Sequence, residues 1–258
     1  MIRLARTFVP KSLWPSVRLE RFVAEWAGAK VSGGIFAGLH YVSASHGSVL
    51  LPKLLGTYEK EVQKVFTRWG DVEFDQIVVA GAAEGYYAVG LARRYEHASV
   101  IAYEAASQAR QALHELAVLN GCESRVTARG LCSCSALAAD TANARLPLVI
   151  VDIEGGETLL LDPEVVPALS RSFILVEVHD MMVPASGAAL QARFATTHRI
   201  ERIDSIARTQ ADVPPALLAA LPRLLRSRAL DALNEWRPPG MYWLAMSPHG
   251  FAPTSALS

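Results

Sequence analysis

From Ile77 onward, short β-branched runs alternate with helix-like stretches, and no other feature constrains the fold as strongly. Parallel strands need a crossover of a dozen or more residues, so this rhythm builds a parallel sheet covered by helices on both faces. "QIVVA" reads as the first strand and "YYAVGLARRYE" as its helix. "SVIAYE" is the second strand, followed by a helix over "SQARQALHELAVLNG" that stops at Asn120–Gly121, a C-terminal signal. "RVTARG", "LPLVIVDIE" and "SFILVEVHD" supply the third to fifth strands. The rhythm then changes. "THRIERIDSIAR" reads as a strand with alternating faces, 210–234 as irregular chain plus helix, and "GMYWLAMSP" as a closing strand. The sequence therefore predicts an α/β, Rossmann-like fold: a mostly parallel seven-stranded sheet with an antiparallel edge strand. Ahead of it, "LPKLLGTYEKEVQKVFTRW" reads as one helix packed against the sheet.

Apolar residues make up 51% of the 258, enough for a substantial core. The formal net charge of zero removes the electrostatic signature of a protein that grips a phosphate backbone, so no nucleic-acid partner is expected. Arg3, Arg6, Lys11, Arg18 and Arg21 are interrupted by Glu20 and Glu25 and accompanied by Trp14 and Trp26, the mark of an amphipathic packing arm. No signal-type segment and no run of eighteen apolar residues is present, which predicts a soluble cytoplasmic protein without a membrane span. Cys122, Cys132 and Cys134 lack framework spacing and read as free thiols.

The turn after the first strand raises the chemical question. Gly81 and Gly85 stand four apart with Glu84 between them, which is not the G-x-G-x-x-G dinucleotide fingerprint. In open α/β sheets, ligands lie beyond the carboxyl ends of the strands. Glycine there lets the backbone approach a ligand, and the helix start offers unpaired N–H groups. Glu104 ends the second strand, where a carboxylate accepts both hydroxyls of a ribose. A pyrophosphate prefers a turn without an acid, whereas S-adenosylmethionine carries a ribose, no phosphate and two positive centres. Gly81, Ala82, Glu84, Gly85 and Glu104, with Asp152 beyond the fourth strand, are therefore the expected contacts of S-adenosylmethionine. The plain alternative is a strand–turn–helix whose glycines serve packing.

At the neighbouring strand ends, "VDIEGGE" carries Asp152, Glu154 and Glu157, and "VEVHD" carries Glu177, His179 and Asp180. Acids and a histidine at the mouth of an apolar sheet cost desolvation energy unless they have partners or a task. His179 is the expected general base, with Glu177 or Asp152 orienting it. The alternatives are a hydrogen-bonded strand-end histidine, a turn cap at Asp152 with Glu154 solvated, and a divalent ion on Asp152, Glu154 and His179. No ligand spacing fixes a metal, and none is assigned. His46 in "SASHGS" is within conceivable reach of an acceptor, and His40, His97, His114, His198 and His249 have no comparable neighbourhood. Glu154 and Arg237 in "EWRPPG" are the expected acceptor-binding residues, with pairing to Glu235 as the other role for Arg237. Tyr58 and Glu59 in "GTYE" read either as a cap on the pocket or as a helix start and core contact.

"VVAGAAEGYYAVGLA", "AYE", "VDIEGGE" and "LVEVHD", in this order and spacing, resemble the class I S-adenosylmethionine-dependent methyltransferases, and more narrowly the FkbM-type family. The resemblance covers about 76–180, with "LLGTYEKEV" and "NEWRPPGMYWL" as further pieces. Ala80 departs from the pattern, standing where many members carry an acid, with Glu84 nearby. The resemblance implies a class I methyltransferase fold and O-methylation of a hydroxyl on a sugar or polyketide-like small molecule. It divides the chain into an N-terminal helical arm and cap, 1–69, and a methyltransferase domain, 70–258. The cofactor half spans about 70–155 and the acceptor half about 156–258. "DIEGGE" lacks the proline and aromatic platform of base-methylating turns, which also speaks against a nucleic-acid acceptor. A non-catalytic binding module of the same fold and a nicotinamide-dependent oxidoreductase are the competing classes.

Overall fold

The computed structural model describes residues 14–41, 49–70, 72–238 and 240–251. Two compact units emerge, one formed by 1–58 and 207–236, the other by 59–206 and 237–258. The division falls at Tyr58/Glu59, where the sequence suggested 69/70, and 207–236 joins the N-terminal segment.

The larger unit holds a seven-stranded sheet. Its strands are β1 (Gln76–Ala80), β2 (Ser99–Tyr103), β3 (Val126–Arg129), β4 (Pro147–Val151), β5 (Phe173–Val178), β6 (His198–Asp204) and β7 (Tyr242–Pro248), in the order β3-β2-β1-β4-β5-β7-β6. β1 pairs in parallel with β2 and with β4, and β4 with β5. β7 runs antiparallel to both β5 and β6. The expected sheet is present. Its antiparallel strand is inserted one place in from the edge, so the edge itself is β6. That edge strand is mostly exposed and carries Arg199, Glu201, Arg202 and Asp204, charges that blunt an open sheet edge.

"PLVIV" and "FILVEV" are buried along their whole length because helices cover both sides, the reason parallel strands read as continuous apolar runs. Successive side chains point to opposite faces. Val78, Ala80, Val149, Val151, Ile174 and Val176 therefore share one face. There they pack with Leu137, Leu160, Leu190 and Phe194 from helices α6 (Cys134–Thr141), α7 (Glu157–Leu160) and α8 (Ser186–Phe194). An aromatic cluster of Phe66, Trp69, Phe74, Tyr95 and Phe173 packs edge-to-face, with centroids 5.0–6.3 Å apart, and alternation puts Phe173 on the opposite face from Ile174. Helices α3 (Lys60–Arg68), α4 (Tyr86–Arg94) and α5 (Ser107–Leu119) complete the layers. The chain leaves β1 towards β2 and β3 on one side and returns to β4 on the other. The carboxyl ends of β1 and β4 thus flank the switch point where such sheets bind ligands.

The smaller unit contains α1 (Pro15–Ala27), α2 (Leu50–Leu55), α9 (Pro215–Ala220) and α10 (Arg223–Arg226). Leu19 and Val23, one turn apart on α1, bury against Leu55, Val213, Leu217, Leu221, Leu225, Ala232 and Leu233. Phe22 and Trp26 flank that stripe, so the helix buries one face in this unit. Arg3, Arg6 and Lys11 lie outside the described residues. Within this unit Glu235 pairs with Arg208 in a buried contact at 2.5 Å, which leaves Arg237 to other partners.

"LPKLLGTYEKEVQKVFTRW" is two helices, because α2 ends on Gly56 at φ +71° and α3 begins after Glu59 at φ +46°. Any Cβ at Gly56 would lie 1.9 Å from the Gly33 carbonyl oxygen, so the break is built into the backbone contact. Apolar spacing persists across the break, which is why periodicity alone joined the two segments. No helix among the described residues is long and apolar enough to cross a membrane.

Candidate active site

The turn after β1 is tied on both sides. Gly81 N–H and Ala82 N–H both donate to the Tyr103 carbonyl at the end of β2, each at 2.9 Å. Asp152 N–H donates to the Ala80 carbonyl, also at 2.9 Å, joining the ends of β4 and β1. Gly81 sits at φ +83°, and a Cβ there would lie 1.7 Å from the Asp152 carbonyl oxygen. Gly85 N–H closes the turn on the Ala82 carbonyl at 2.8 Å before α4 begins.

Glu104 is half-buried beside this turn. One carboxylate oxygen accepts the Ala83 N–H at 2.9 Å and the other the Ala106 N–H at 2.7 Å. A carboxylate has about four acceptor positions, so two backbone donors leave capacity for a pair of ligand hydroxyls. Ala83 is itself left-handed, at φ +46°. Strained residues of this sort persist where the surrounding structure over-determines them. Glu84 is placed differently from its neighbours: its exposure is 0%, so contact with a ligand would require the turn to open.

The second cluster gathers at the ends of β4 and β5. His179 is 4% exposed and its Nδ1 lies 2.7 Å from a carboxylate oxygen of Glu157, the first residue of α7. That oxygen also accepts the Gly155 N–H at 2.9 Å. The other ring nitrogen, Nε2, faces Asp152 Oδ1 at 3.7 Å and Glu177 Oε2 at 3.8 Å. Glu177 in turn is bonded by Arg237, whose guanidinium also bonds Glu59, and Tyr87 donates its hydroxyl to Glu59. Glu59 is 1% exposed and Glu177 3%, so Arg237 supplies charge to two interior carboxylates.

Burial pushes Glu177 up to about 8, helped by the charge of Asp152 and opposed by Arg237. Burial and the charge of Glu59 raise Asp152 to about 6. For His179, burial works against the charged ring, but the Glu157 hydrogen bond and the neighbouring carboxylates outweigh it and hold the group above its ordinary value. Burial opposes the charged form of Glu157 too, and there the His179 and Gly155 hydrogen bonds win and lower it. The result is a Glu157–His179 pair that favours charge separation beside an Asp152–Glu177 couple that favours holding a proton near neutrality.

Of the residues expected at this place, Asp152, Glu177 and His179 come together. Glu154 does not join them: it is exposed, at φ +50°, on the outer side of the turn. Glu157 takes the orienting position instead. Its place at a helix start followed by "TLL" was the available signal, since an acid there is drawn into the core with its helix. Glu59 belongs to the cluster, whereas Tyr58 stacks under Lys53, with Nζ 5.0 Å from the ring centroid. Asp180 is occupied, accepting from Ser186 Oγ (3.0 Å), Gly187 N–H (3.0 Å) and Tyr242 hydroxyl (2.8 Å). His198 is a buried packing residue bonded to the Ser172 carbonyl at 2.8 Å, and His114 is exposed. His46 lies outside the described residues. The three thiols are free.

No family model and no curated protein matches the sequence. Solved structures do resemble the fold. An rRNA methylase from Streptococcus thermophilus aligns with TM-score 0.50 and 12% identity over 74% of this chain and 97% of that one. A putative O-methyltransferase from Klebsiella pneumoniae gives 0.46 and 14% identity, covering 95% and 94%. Precorrin-6y C5,15-methyltransferase from Geobacter metallireducens gives 0.48 and 8%, covering 76% and 90%. Identities this low speak to fold alone. The chain has the Rossmann-like fold of the class I methyltransferases, with its one antiparallel insertion next to the sheet edge.

Proposed function

We propose that this protein is an S-adenosylmethionine-dependent methyltransferase acting on a hydroxyl of a small metabolite, a sugar or a polyketide-like compound. The observation that carries the reading is Glu104: a half-buried carboxylate held on the glycine turn through Ala83, with acceptor capacity to spare and the acid–histidine cluster at the next strand ends. When bound, S-adenosylmethionine supplies a methyl group on a sulfonium, open to in-line displacement. The donor set suits it. Glu104 would take the ribose hydroxyls, the backbone at Gly81, Ala82 and Gly85 would admit close approach, and Asp152 would face the positive end. The Asp152–Glu177 couple and His179 would receive the proton that a hydroxyl loses on methylation. Arg237 is engaged by Glu59 and Glu177, so we assign it to holding those carboxylates; Glu154, on the outer rim, is left as the acceptor-side residue. Zero net charge favours a small acceptor over RNA, and the narrower FkbM-type relationship rests on the motif resemblance.

Calorimetry with S-adenosylhomocysteine tests the cofactor half. Glu104→Ala is expected to weaken binding at least tenfold, because two hydroxyl hydrogen bonds, each worth about 0.5–1.5 kcal/mol, are removed. Unchanged affinity would remove Glu104 from the site. Transfer of labelled methyl to a panel of sugar and polyketide alcohols tests the rest. Binding without transfer to any alcohol, RNA or protein substrate would favour a non-catalytic module of the same fold.

A further inference from the structure

The ring of His179 is oriented so that one nitrogen is held and the other faces two carboxylates. Glu157 claims Nδ1, so the ring's other nitrogen, Nε2, makes no hydrogen bond among the described residues. It is aimed between two carboxylate oxygens, at 3.7 and 3.8 Å, from a side chain only 5% exposed. A ring whose Nδ1 is held by Glu157 presents Nε2 to the space between those two carboxylates, the arrangement in which an imidazole binds a cation.

We propose that Asp152 Oδ1, Glu177 Oε2 and His179 Nε2 form a divalent-cation site. One ligand atom from each residue lies within 4.8 Å of the others. Donors bound at about 2.0–2.2 Å in tetrahedral or octahedral geometry sit roughly 3.0–3.6 Å apart, so the two sides that meet at Nε2, 3.7 and 3.8 Å long, need to close by less than about 1 Å. The Glu157–His179 contact is the carboxylate–imidazole pairing that fixes tautomer and ring orientation at metal-bound histidines. The division of labour on Glu177 also fits, because Arg237 takes Oε1 and leaves Oε2 for the ion. Glu157 is fixed in that supporting position through one oxygen, which takes both the His179 ring and the Gly155 N–H, while its second oxygen is buried without a hydrogen-bond partner. Two carboxylates and one imidazole suit manganese or zinc, and three protein ligands leave coordination positions for an oxygen of a bound acceptor. There the ion would favour loss of the hydroxyl proton; that last role rests on the methyltransferase reading, whereas ion binding does not.

The test uses the full chain stripped with chelator and then titrated with Mn2+. Electron paramagnetic resonance is expected to show one bound ion per chain, with modulation from a single imidazole nitrogen. Zn2+ should displace it. Glu157→Gln, which touches no ion directly, is expected to weaken Mn2+ binding by about tenfold or more through the ring it orients. Glu177→Gln should abolish stoichiometric binding, with circular dichroism as the check on folding. Saturation not reached at millimolar Mn2+, or a bound ion without nitrogen modulation in the wild type, overturns the proposal regardless of how the variants fold. S-adenosylhomocysteine binding in chelator is measured alongside: its failure with Mn2+ still bound would sink the cofactor reading alone, and its success without an Mn2+ site would sink the ion alone.

Discussion

Arg237→Leu is expected to lose about 3–5 kcal/mol of folding stability in urea denaturation, the usual penalty for stranding a buried charge partner. The guanidinium is the shared partner of Glu59 and Glu177, which are almost wholly interior, and its own side chain is 12% exposed. Leucine has comparable bulk, so lost packing would be a small part of the effect. The double variant with Glu177→Gln should recover part of the loss, since one of the two stranded carboxylates is then neutral. Wild-type stability for Arg237→Leu would return this residue to the role first read from "EWRPPG", the capture of an anionic acceptor.

Gly81→Ala is the second large effect. The methyl group would be built 1.7 Å from the Asp152 carbonyl oxygen and 2.7 Å from its carbon, at φ +83°. Left-handed backbone costs a non-glycine residue about 1–2 kcal/mol, and overpacking adds about 1–3. The obstacle is backbone, which cannot rotate aside, so the ends of β1 and β4 must separate and the Asp152-to-Ala80 hydrogen bond is lost. A destabilisation of about 2–5 kcal/mol is expected from those two costs, with loss of S-adenosylhomocysteine binding even where the chain stays folded. Gly130→Ala is the control, since a Cβ there meets nothing within 4 Å. Equal midpoints for the two variants would show that the turn relaxes freely and does not define the pocket.

These two positions mark how far local reading reaches. Gly81 was identifiable because a β-branched run, a glycine and a helix in succession leave one local solution. The same logic made all seven strands legible, including "FILVEV", whose continuous apolar run signals burial on both faces. Asp152, Glu177 and His179 were legible together because parallel strands bring their carboxyl ends to one edge of the sheet. Tertiary structure decided what each residue does there. Glu154 and Glu157 are three residues apart and chemically alike, yet a left-handed turn sends one to solvent while a helix start carries the other under His179. Glu84 looks from the sequence like a turn acid facing the ligand and is wholly interior. Glu59 and Arg237 meet across 178 positions of sequence, and no periodicity connects them. Hydrophobic pattern and turn chemistry are local properties that survive in a sequence read by itself. An ion pair between distant segments, or the choice between two neighbouring acids, depends on the folded backbone that sets their distances and their access to water.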